Sequence, residues 1–490
     1  MGNENRIVVT SMMWTLLERF GTQLVSFIIS IILARILMPD DYGIIAIVLV
    51  FISFANIIIT GGLNTALIQK KDSDQKDYST IFWFCLCIAA VVYSVLFFSA
   101  PLISRFYGKE LLTPVLRVLG IIVFFGSINS IQFAFVSRHM LFRKNFYVNA
   151  VALVISGSVG ILLAYKGFGV WALVGQYLLS SIIICILLLF AIRWKPTLEF
   201  SLSRFKGLFD FGWKVFLTNF IITVYENIRS LIIGKLYQPS TLAYFDRGKQ
   251  MPNLIMGNVT SSIQTVLLPA FSNEQDNRIR VKQMMRRALT VSYLFVAPLL
   301  AGFFFASKEI VLLLLTEKWL PAVPFIRIFC IAFLLMPIQN INATAIQALG
   351  YSNLTLKIEI IKKIIEAIIL VISFMMNVYA VAWGIVLYNA ICIPINLSPA
   401  KRLIDYGAVE QLKDICLIIL ASLIMGAVVF SCELLPIGNI WILSIQVLSG
   451  AVIYFFLCKL FRFDSLTYVL KNASAMIGDL AKGKHIIVNS

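Results

Sequence analysis

WTLLERFGTQLVSFIISIILARILMPDDYG, at residues 14–43, decides the fold because a related stretch occurs a second time in the chain. The second copy, at residues 213–239, reads WKVFLTNFIITVYENIRSLIIGKLYQP, so that Pro39 matches Pro239. The similarity continues, at the same spacing, into GGLNTALI at residues 61–68 and SSIQTVLL at residues 261–268. The chain therefore contains an internal repeat and is expected to fold as two related halves.

Both copies carry charged residues inside an apolar stretch that is long enough to form a membrane helix. The first copy contains Glu18 followed by Arg19, and the second contains Glu226 followed by Arg229 three positions later. A charged side chain in hydrocarbon is costly, so such residues usually face protein or a water-filled cavity. Two related halves with buried charge predict a cleft between them, and a cleft in a membrane is typical of transport.

The composition excludes a soluble globular protein. Of the 490 residues, 60% are apolar and only 13% are charged, which is too little charge to cover the surface of a globule. The chain consists of apolar runs near the length that a membrane-spanning helix requires, and it lacks the alternating strands typical of a β-barrel. The sequence thus predicts an all-α polytopic membrane protein with about fourteen transmembrane helices. Their approximate ranges are 11–36, 43–68, 79–102, 112–136, 146–165, 169–192, 209–235, 252–271, 288–312, 322–347, 354–376, 379–397, 412–432 and 440–460.

The net charge of +17 reflects membrane topology. If the N-terminus is cytoplasmic, most of the 41 lysines and arginines fall in loops on the cytoplasmic side. This asymmetry is the positive-inside rule, and it predicts that both termini are cytoplasmic. No nucleic-acid partner is therefore expected.

The predicted spans divide the chain into lobes. Six spans precede the linker at residues 193–206 and six more precede Lys401, so each half returns to its starting side and the halves share one orientation. We accordingly expect an N-lobe at residues 1–200, a C-lobe at residues 201–400, and a segment at residues 401–490 with two further helices and a cytoplasmic tail. The first span is expected to be retained, because its charges interrupt the apolar core that a signal peptide needs.

Several enzyme classes are not expected. The outer loops are short and contain no histidine and no dense acidic cluster, so a paired-carboxylate or Ser-His-Asp site has no place to form. The chain also contains no Walker motif GxxxxGK[ST], which indicates that it does not hydrolyse ATP. Neither a cofactor nor a metal site is expected.

Four arginines within predicted spans are candidates for the functional site. Inserting each charged side chain at the bilayer centre would cost roughly 3 kcal/mol. One interpretation is a cationic cavity whose guanidinium groups bind an anionic substrate; the other is structural pairing or snorkelling towards the interface. The spacing of Glu226 and Arg229 makes a local ion pair the default assignment, and intramembrane amides either bond between helices or line a hydrated path. The candidates for substrate binding are Arg19, Arg117, Arg229 and Arg327, and those for the cavity wall or ion coupling are Glu18, Glu226, Gln23, Asn64 and Gln264.

Short motifs along nearly the whole chain to about residue 400 carry a resemblance to a known family. They are LARILMPDDYGI at residues 33–44, GGLNTALIQKKD at 61–72, FYG at 106–108, KGFGVWALVGQ at 166–176, EKWLPAVP at 317–324 and QALGYSNL at 347–354. Together and in this order, they resemble the Wzx-type polysaccharide flippases of the multidrug/oligosaccharidyl-lipid/polysaccharide exporter superfamily. The similarity is greatest to the colanic-acid and teichuronic-acid exporter branch.

The resemblance implies a V-shaped, MATE-like pair of six-helix lobes around a cationic central cavity. It also implies a function: an undecaprenyl-pyrophosphate-linked oligosaccharide repeat unit is moved from the inner to the outer leaflet of the bacterial inner membrane by alternating access, for cell-surface polysaccharide assembly. Polysaccharide polymerase and assembly proteins are the implied protein partners. In this branch the basic residue often precedes the acid in the seventh span, whereas here Glu226 precedes Arg229.

Three alternatives remain open at this point. A cation-coupled drug antiporter of the same fold would require carboxylates in its cavity, where arginine predominates here. A membrane glycosyltransferase or polymerase would require a catalytic loop. A nontransporting scaffold for envelope assembly would leave the cavity charges unexplained.

Overall fold

The structure, a computed structural model, describes residues 21–192, 194–468 and 471, without the side chains of Ser262, Gln264 and Ser352. The described residues form helices and connecting turns and contain no β-strand. They divide by packing into two compact units, one ending at Ala243 and the other beginning at Tyr244. The fold class predicted from composition and hydropathy is confirmed.

The first unit contains nine helices and the start of a tenth in its described part. They are α1 (Gly21–Ile36), α2 (Pro39–Thr60), α3 (Leu63–Gln69), α4 (Gln75–Tyr107), α5 (Leu112–Leu119), α6 (Ile122–Arg138), α7 (Phe142–Tyr165), α8 (Val170–Ile192), α9 (Leu202–Leu236) and the beginning of α10 (Pro239–Ser262).

The second unit continues from α10 through a π-helical turn at Ile263–Leu267. Short 3₁₀ turns occupy Glu317–Ala322 and Cys432–Leu434. Its remaining helices are α11 (Leu268–Asn273), α12 (Arg278–Phe305), α13 (Ser307–Leu314), α14 (Val323–Leu334), α15 (Met336–Ala348), α16 (Ser352–Phe374), α17 (Val378–Ile404), α18 (Ala408–Ser431) and α19 (Asn439–Leu460).

Within the described ranges, 12 helical segments are long and apolar enough to cross a membrane. The predicted count of fourteen is not confirmed, and the difference concerns α1 and α16. The described part of α1 is short, because residues before Gly21 lie outside the described ranges. Helix α16 is long enough but strongly charged, and it forms ion pairs between Lys362 and Glu359 at 2.6 Å and between Lys363 and Glu366 at 2.9 Å. The second pair gives the buried Glu366 carboxylate a partner on its own helix.

The packing boundary at Ala243 lies later in the chain than the repeat boundary predicted at residue 200. Helix α9 belongs to the first unit because it packs along α2 and α3. The two lobes and the C-terminal segment predicted from the repeat remain a prediction, since compactness and internal repetition are different properties.

Helix boundaries follow local capping chemistry. Asp74 begins α4 by accepting a hydrogen bond from the backbone N–H of Asp77 at 3.0 Å, and the Asp77 carboxylate accepts in return from the N–H of Asp74 at 3.2 Å. Asn377 caps α17 in the same way by accepting from the N–H of Ala380 at 2.8 Å. These reciprocal bonds satisfy N–H groups that a helix N-terminus leaves without partners.

The starts of α2 and α10, which are the two copies of the repeated Pro turn, meet inside the first unit. A Cβ atom added to Gly43 would lie 1.9 Å from the carbonyl oxygen of Pro239. Beside this contact, the backbone N–H of Ser240 donates to the Asp40 carboxylate at 3.0 Å. Gly43 is therefore required by close backbone approach, and the repeated turn packs against its own copy.

A buried carboxylate fixes the start of α4 to the start of α9. The Asp77 side chain is fully buried, and its oxygens lie 2.6 Å from Lys70 Nζ and 3.3 Å from the Arg204 guanidinium. Arg204 also contacts Asp74 at 2.5 Å. Burial opposes ionisation of Asp74, but bonds from the Asp77 N–H and from Arg204 outweigh it and hold the Asp74 pKa below its ordinary value.

The Gly43 contact yields a stability prediction. Gly43→Ala is expected to destabilise the protein by about 1–3 kcal/mol, because α2 and α10 must separate to admit the methyl group. Gly207→Ala is the matched control: it lies in α9 with nothing within 4 Å of an added Cβ, and should be neutral or stabilising. Thermal unfolding of the purified proteins in one detergent measures the difference, and equal midpoints for the two variants would contradict the contact.

The buried Asp77 carboxylate yields a second stability prediction. Asp77→Asn is expected to lower stability by about 2 kcal/mol, since it leaves Lys70 and Arg204 without their shared anion. Asp72→Asn removes the same charge from an exposed neighbour and should change the unfolding midpoint little. If both variants unfold at the wild-type temperature, the ion cluster does not hold α4 to α9.

Candidate functional site

The repeated helix is interrupted in its first copy at Gly61 and Gly62. Both glycines adopt left-handed backbone conformations, with φ of 50° and 70°, and they separate α2 from α3. A Cβ atom at Gly62 would also lie 2.4 Å from the carbonyl oxygen of Gly212 on α9. The glycines therefore serve two purposes, since they break the helix and let a neighbouring helix approach the break.

The second copy is interrupted at the corresponding place in a different way. Residues 263–267 form a π-helical turn between α10 and α11, and the sequence SSIQTVLL that contains it is the counterpart of GGLNTALI. Single π-helical turns inside α-helices occur frequently at functional sites. In membrane transporters, helices that are interrupted at corresponding positions of two repeats mark the binding site. Each unit thus contains one interruption, at residues 61–62 in the first and at residues 263–267 in the second, and these are the candidate functional positions.

Two of the predicted residues lie at these interruptions. Asn64 is partly buried on α3, where its side-chain N–H donates to the Ser130 hydroxyl of α6. Its Oδ1 is buried and accepts no hydrogen bond within the described ranges. Gln264 lies in the π-helical turn. Asn64 and Gln264 correspond in the alignment of the two copies, and their assignment to a cavity wall stays a prediction.

Near each interruption, a bond between polar side chains reaches a later helix of the same unit. In the first unit this bond joins Asn64 to Ser130, and in the second Asn340 of α15 donates to the Thr260 hydroxyl of α10 at 3.2 Å. Sequence reasoning missed Ser130 and Thr260. The repeat could have indicated Ser130. Ser130 and Asn340 are separated by the same number of residues as Arg117 and Arg327, so they are counterparts in the two halves of the chain.

The charged residues of α9 do not form the predicted ion pair. Glu226 is exposed and Arg229 is partly buried, and no salt bridge joins them in the described structure. The same three-residue spacing supports two ion pairs on α16, so it permits a pair, and in α9 the two side chains differ in exposure instead of meeting. Arg229 lies on the partly buried side of α9, and its assignment to a substrate cavity stays a prediction.

The predicted residues of the first span fall mainly before the described ranges. Glu18 and Arg19 both lie outside the described residues. Gln23 is partly buried on α1. Helix α1 itself packs against α7, where a Cβ at Gly157 would lie 2.3 Å from Ile29.

Arg117 and Arg327 make equivalent contacts in their separate units. The Arg117 Nε donates to the carbonyl oxygen of Phe97 at 3.2 Å, and its guanidinium lies 4.3 Å from the centre of the Phe97 ring. The Arg327 Nε donates to the carbonyl oxygen of Phe304 at 3.3 Å and to the Ser307 hydroxyl at 3.0 Å. Because both guanidinium groups are bound to backbone of a neighbouring helix, the geometry favours the structural alternative for these two arginines.

Intramembrane amides of α6 also bond between helices. The Asn129 side chain donates to the carbonyl oxygen of Ser181 at 3.2 Å, and Gln132 donates to that of Cys185 at 3.4 Å, both on α8. These bonds hold α6 and α8 together within the first unit. The side-chain oxygens of Asn129 and Gln132, like that of Asn64, are buried without a hydrogen-bond partner within the described ranges.

Comparison with known proteins agrees with this architecture. A family model described as polysaccharide biosynthesis protein matches residues 32–324. The succinoglycan biosynthesis transport protein ExoT of Rhizobium meliloti is 26% identical over 332 residues, which cover 67% of this chain and 66% of ExoT. The teichuronic acid biosynthesis protein TuaB of Bacillus subtilis is 24% identical, with 61% of this chain and 63% of TuaB covered. The matched segment thus spans just under two thirds of the length of these two relatives.

Solved structures share the fold at low sequence identity. The lipid II flippase MurJ in an inward closed conformation superimposes with a TM-score of 0.73 at 16% identity, covering 93% of this chain and 100% of MurJ. An inward-facing multidrug resistance MATE family transporter of the MOP superfamily gives a TM-score of 0.59 at 14% identity, covering 78% of this chain and 94% of the transporter. The resemblance predicted from the motifs is confirmed. Since the family model matches more than half of its length, this multi-pass membrane protein belongs to the family of polysaccharide biosynthesis proteins.

Proposed function

We propose that this protein is a flippase that moves an undecaprenyl-pyrophosphate-linked oligosaccharide from the inner to the outer leaflet, for cell-surface polysaccharide assembly. The observation that carries the proposal is the pair of interrupted helices, at residues 61–62 and 263–267. A helix break exposes backbone polar groups that hydrocarbon cannot satisfy, so breaks within membrane spans are tolerated where they are packed against protein or line a polar cavity. Breaks conserved in position between two repeats are expected of a transport pathway.

The chemistry of the side chains supports an anionic, hydroxyl-rich cargo. Arg229 places a guanidinium group in the apolar helix α9, and Arg19 supplies a second one in the first copy of the repeat. Guanidinium forks suit phosphate oxygens, and the acceptor oxygen of Asn64 suits a sugar hydroxyl. We assign substrate binding to Arg19, Arg229 and Asn64, with Gln23 and Gln264 in the polar wall and Glu18 and Glu226 as candidates for ion coupling.

The remaining features of the proposal concern topology and partners. Both termini lie in the cytoplasm, the protein resides in the bacterial inner membrane, and lobes at residues 1–200 and 201–400 alternate access without ATP hydrolysis. A polymerase that consumes the outward-facing repeat unit is the expected protein partner. The positive-inside distribution and the relatives that act in polysaccharide biosynthesis support these assignments.

Reconstitution tests the function directly. Liposomes that contain the purified protein and a fluorescent undecaprenyl-pyrophosphate-linked oligosaccharide should expose the sugar on the opposite leaflet without ATP, as measured by quenching with an impermeant reagent. Liposomes that contain the cargo and no protein provide the baseline. Exposure no greater than this baseline would refute the flippase. Extrusion of a cationic dye driven by an ion gradient would favour the antiporter, and sugar transfer to a lipid acceptor would favour the glycosyltransferase.

Two variants that each remove one positive charge distinguish a specific role of Arg229 in binding from an effect of net charge. Arg229→Gln is expected to slow translocation about tenfold, the effect of losing one charge-assisted hydrogen bond to phosphate. Arg105→Gln removes the same charge from an exposed residue near the end of α4 and should leave the rate within twofold. Equal rates for the two variants would remove Arg229 from the binding site.

A further inference from the structure

The second unit contains a cavity of about 640 Å³ that the transport proposal does not use. It lies where α12 and α18 begin and just beyond the end of α19, so the ends of three candidate spans meet at it. The ends of membrane-spanning helices lie at the level of lipid headgroups. The cavity is therefore placed to contact the polar part of a bilayer.

The lining of this cavity has a surplus of cations. Arg286, Arg287, Lys413 and Arg462 all contribute to it. Only Arg286 forms an ion pair with a carboxylate in the described part of the chain, and its partner is Asp414. The Arg287 guanidinium instead lies 4.4 Å from the centre of the Tyr468 ring. Three basic side chains in one cavity thus remain available to an anion.

The two acidic residues of the cavity do not cancel this surplus. Asp414 is occupied, because it also accepts a hydrogen bond from the Tyr406 hydroxyl at 2.7 Å. Burial, together with that bond, raises the pKa of Tyr406, so the hydroxyl keeps its proton and remains a donor. Asp464 is exposed and makes no ion pair within the described ranges. Four cations and two carboxylates leave the lining with a net positive charge.

The backbone beyond α19 brings one of the cations into the cavity. Arg462 has a φ of 52°, and the Phe463 N–H donates to the carbonyl oxygen of Cys458 at 3.1 Å. This is the usual left-handed termination of a helix, but glycine or asparagine normally occupies the left-handed position. An arginine there costs conformational energy, which a role for its guanidinium would explain.

Apolar side chains complete the wall. Leu417 and Ile418 of α18 line the cavity together with Phe461 and Phe463. A soluble anion would gain nothing from this apolar surface, whereas a lipid places glycerol and the first acyl carbons directly beside its phosphate. Basic pockets between transmembrane helices commonly bind lipid headgroups.

We propose that this cavity is a binding site for the phosphodiester headgroup of an anionic membrane phospholipid, distinct from the transported cargo. Arg287, Lys413 and Arg462 bind the phosphate, and the Leu417 and Phe461 side chains contact the start of the acyl chains. The lipid links the start of α18 to the end of α19. Its binding does not require that the protein transport anything.

Binding is tested on the purified full-length chain in detergent. Phosphatidylglycerol should raise the thermal unfolding midpoint in a saturable manner, while phosphatidylcholine with the same acyl chains and inorganic phosphate should raise it little. Equal effects of the two lipids would overturn the proposal. A phosphate effect as large as that of phosphatidylglycerol would overturn the assignment to a lipid.

Variants test the location of the site. Arg287→Gln combined with Lys413→Gln should weaken phosphatidylglycerol binding at least about tenfold. Lys357→Gln combined with Arg402→Gln removes the same charge from exposed residues outside the cavity and should change binding less than about twofold. Equal losses would indicate nonspecific attraction and contradict the site.

A single substitution separates binding from folding. Arg462→Asn puts a residue that tolerates the left-handed conformation in place of the arginine, so the unfolding midpoint without lipid should be retained or raised. The same variant should bind phosphatidylglycerol more weakly than the wild type. An unchanged affinity would exclude Arg462 from the site.

Discussion

Hydrocarbon offers no hydrogen bonds, so every backbone N–H and C=O group that crosses a bilayer must find its partner within the protein. Continuous α-helices meet this requirement, and most of the described chain consists of them. The repeated stretch is interrupted once in each copy, at residues 61–62 and at residues 263–267. A costly feature that occurs in both copies of a repeat is best explained by function, and our account of transport rests on it.

The same constraint explains why buried polar groups of one type serve different purposes. Arg117 and Arg327 donate to backbone carbonyls of a neighbouring helix and lie near a phenylalanine ring, so their charge is used to join helices. Asn129 and Gln132 join helices in the same way. Asn64 also donates to another helix, at Ser130, but it differs from them in lying beside the helix break. Location at a break, rather than polarity alone, distinguishes a candidate binding residue.

The sequence predicted features that depend on composition and spacing. Run lengths and hydropathy predict the helical membrane fold, and the matched Pro39 and Pro239 reveal the repeat, because these signals are local. Contacts between distant helices leave no such signal. The Phe97 carbonyl that binds Arg117 is a backbone atom, and any residue at that position would supply it. Spacing also wrongly paired Glu226 with Arg229, since it defines a helix face but not the direction in which each side chain turns.

Residue type indicates the first helix break but not the second. Gly61 and Gly62 adopt positive φ values that favour glycine, so the first break is encoded in residue type. The π-helical turn at residues 263–267 consists of ordinary residues, and its position can be inferred only from the alignment of the two copies.

Water access at the two breaks is the most direct test of this account. In a variant without the eight native cysteines, Asn64→Cys and Gln264→Cys should both react with a hydrophilic, membrane-impermeant thiol reagent if the two positions line the proposed polar pathway. Phe98→Cys, at a position that is 76% exposed on the apolar helix α4, should face lipid and remain unreactive. If positions 64 and 264 are as unreactive as position 98, the breaks do not line a pathway and the transport account is contradicted.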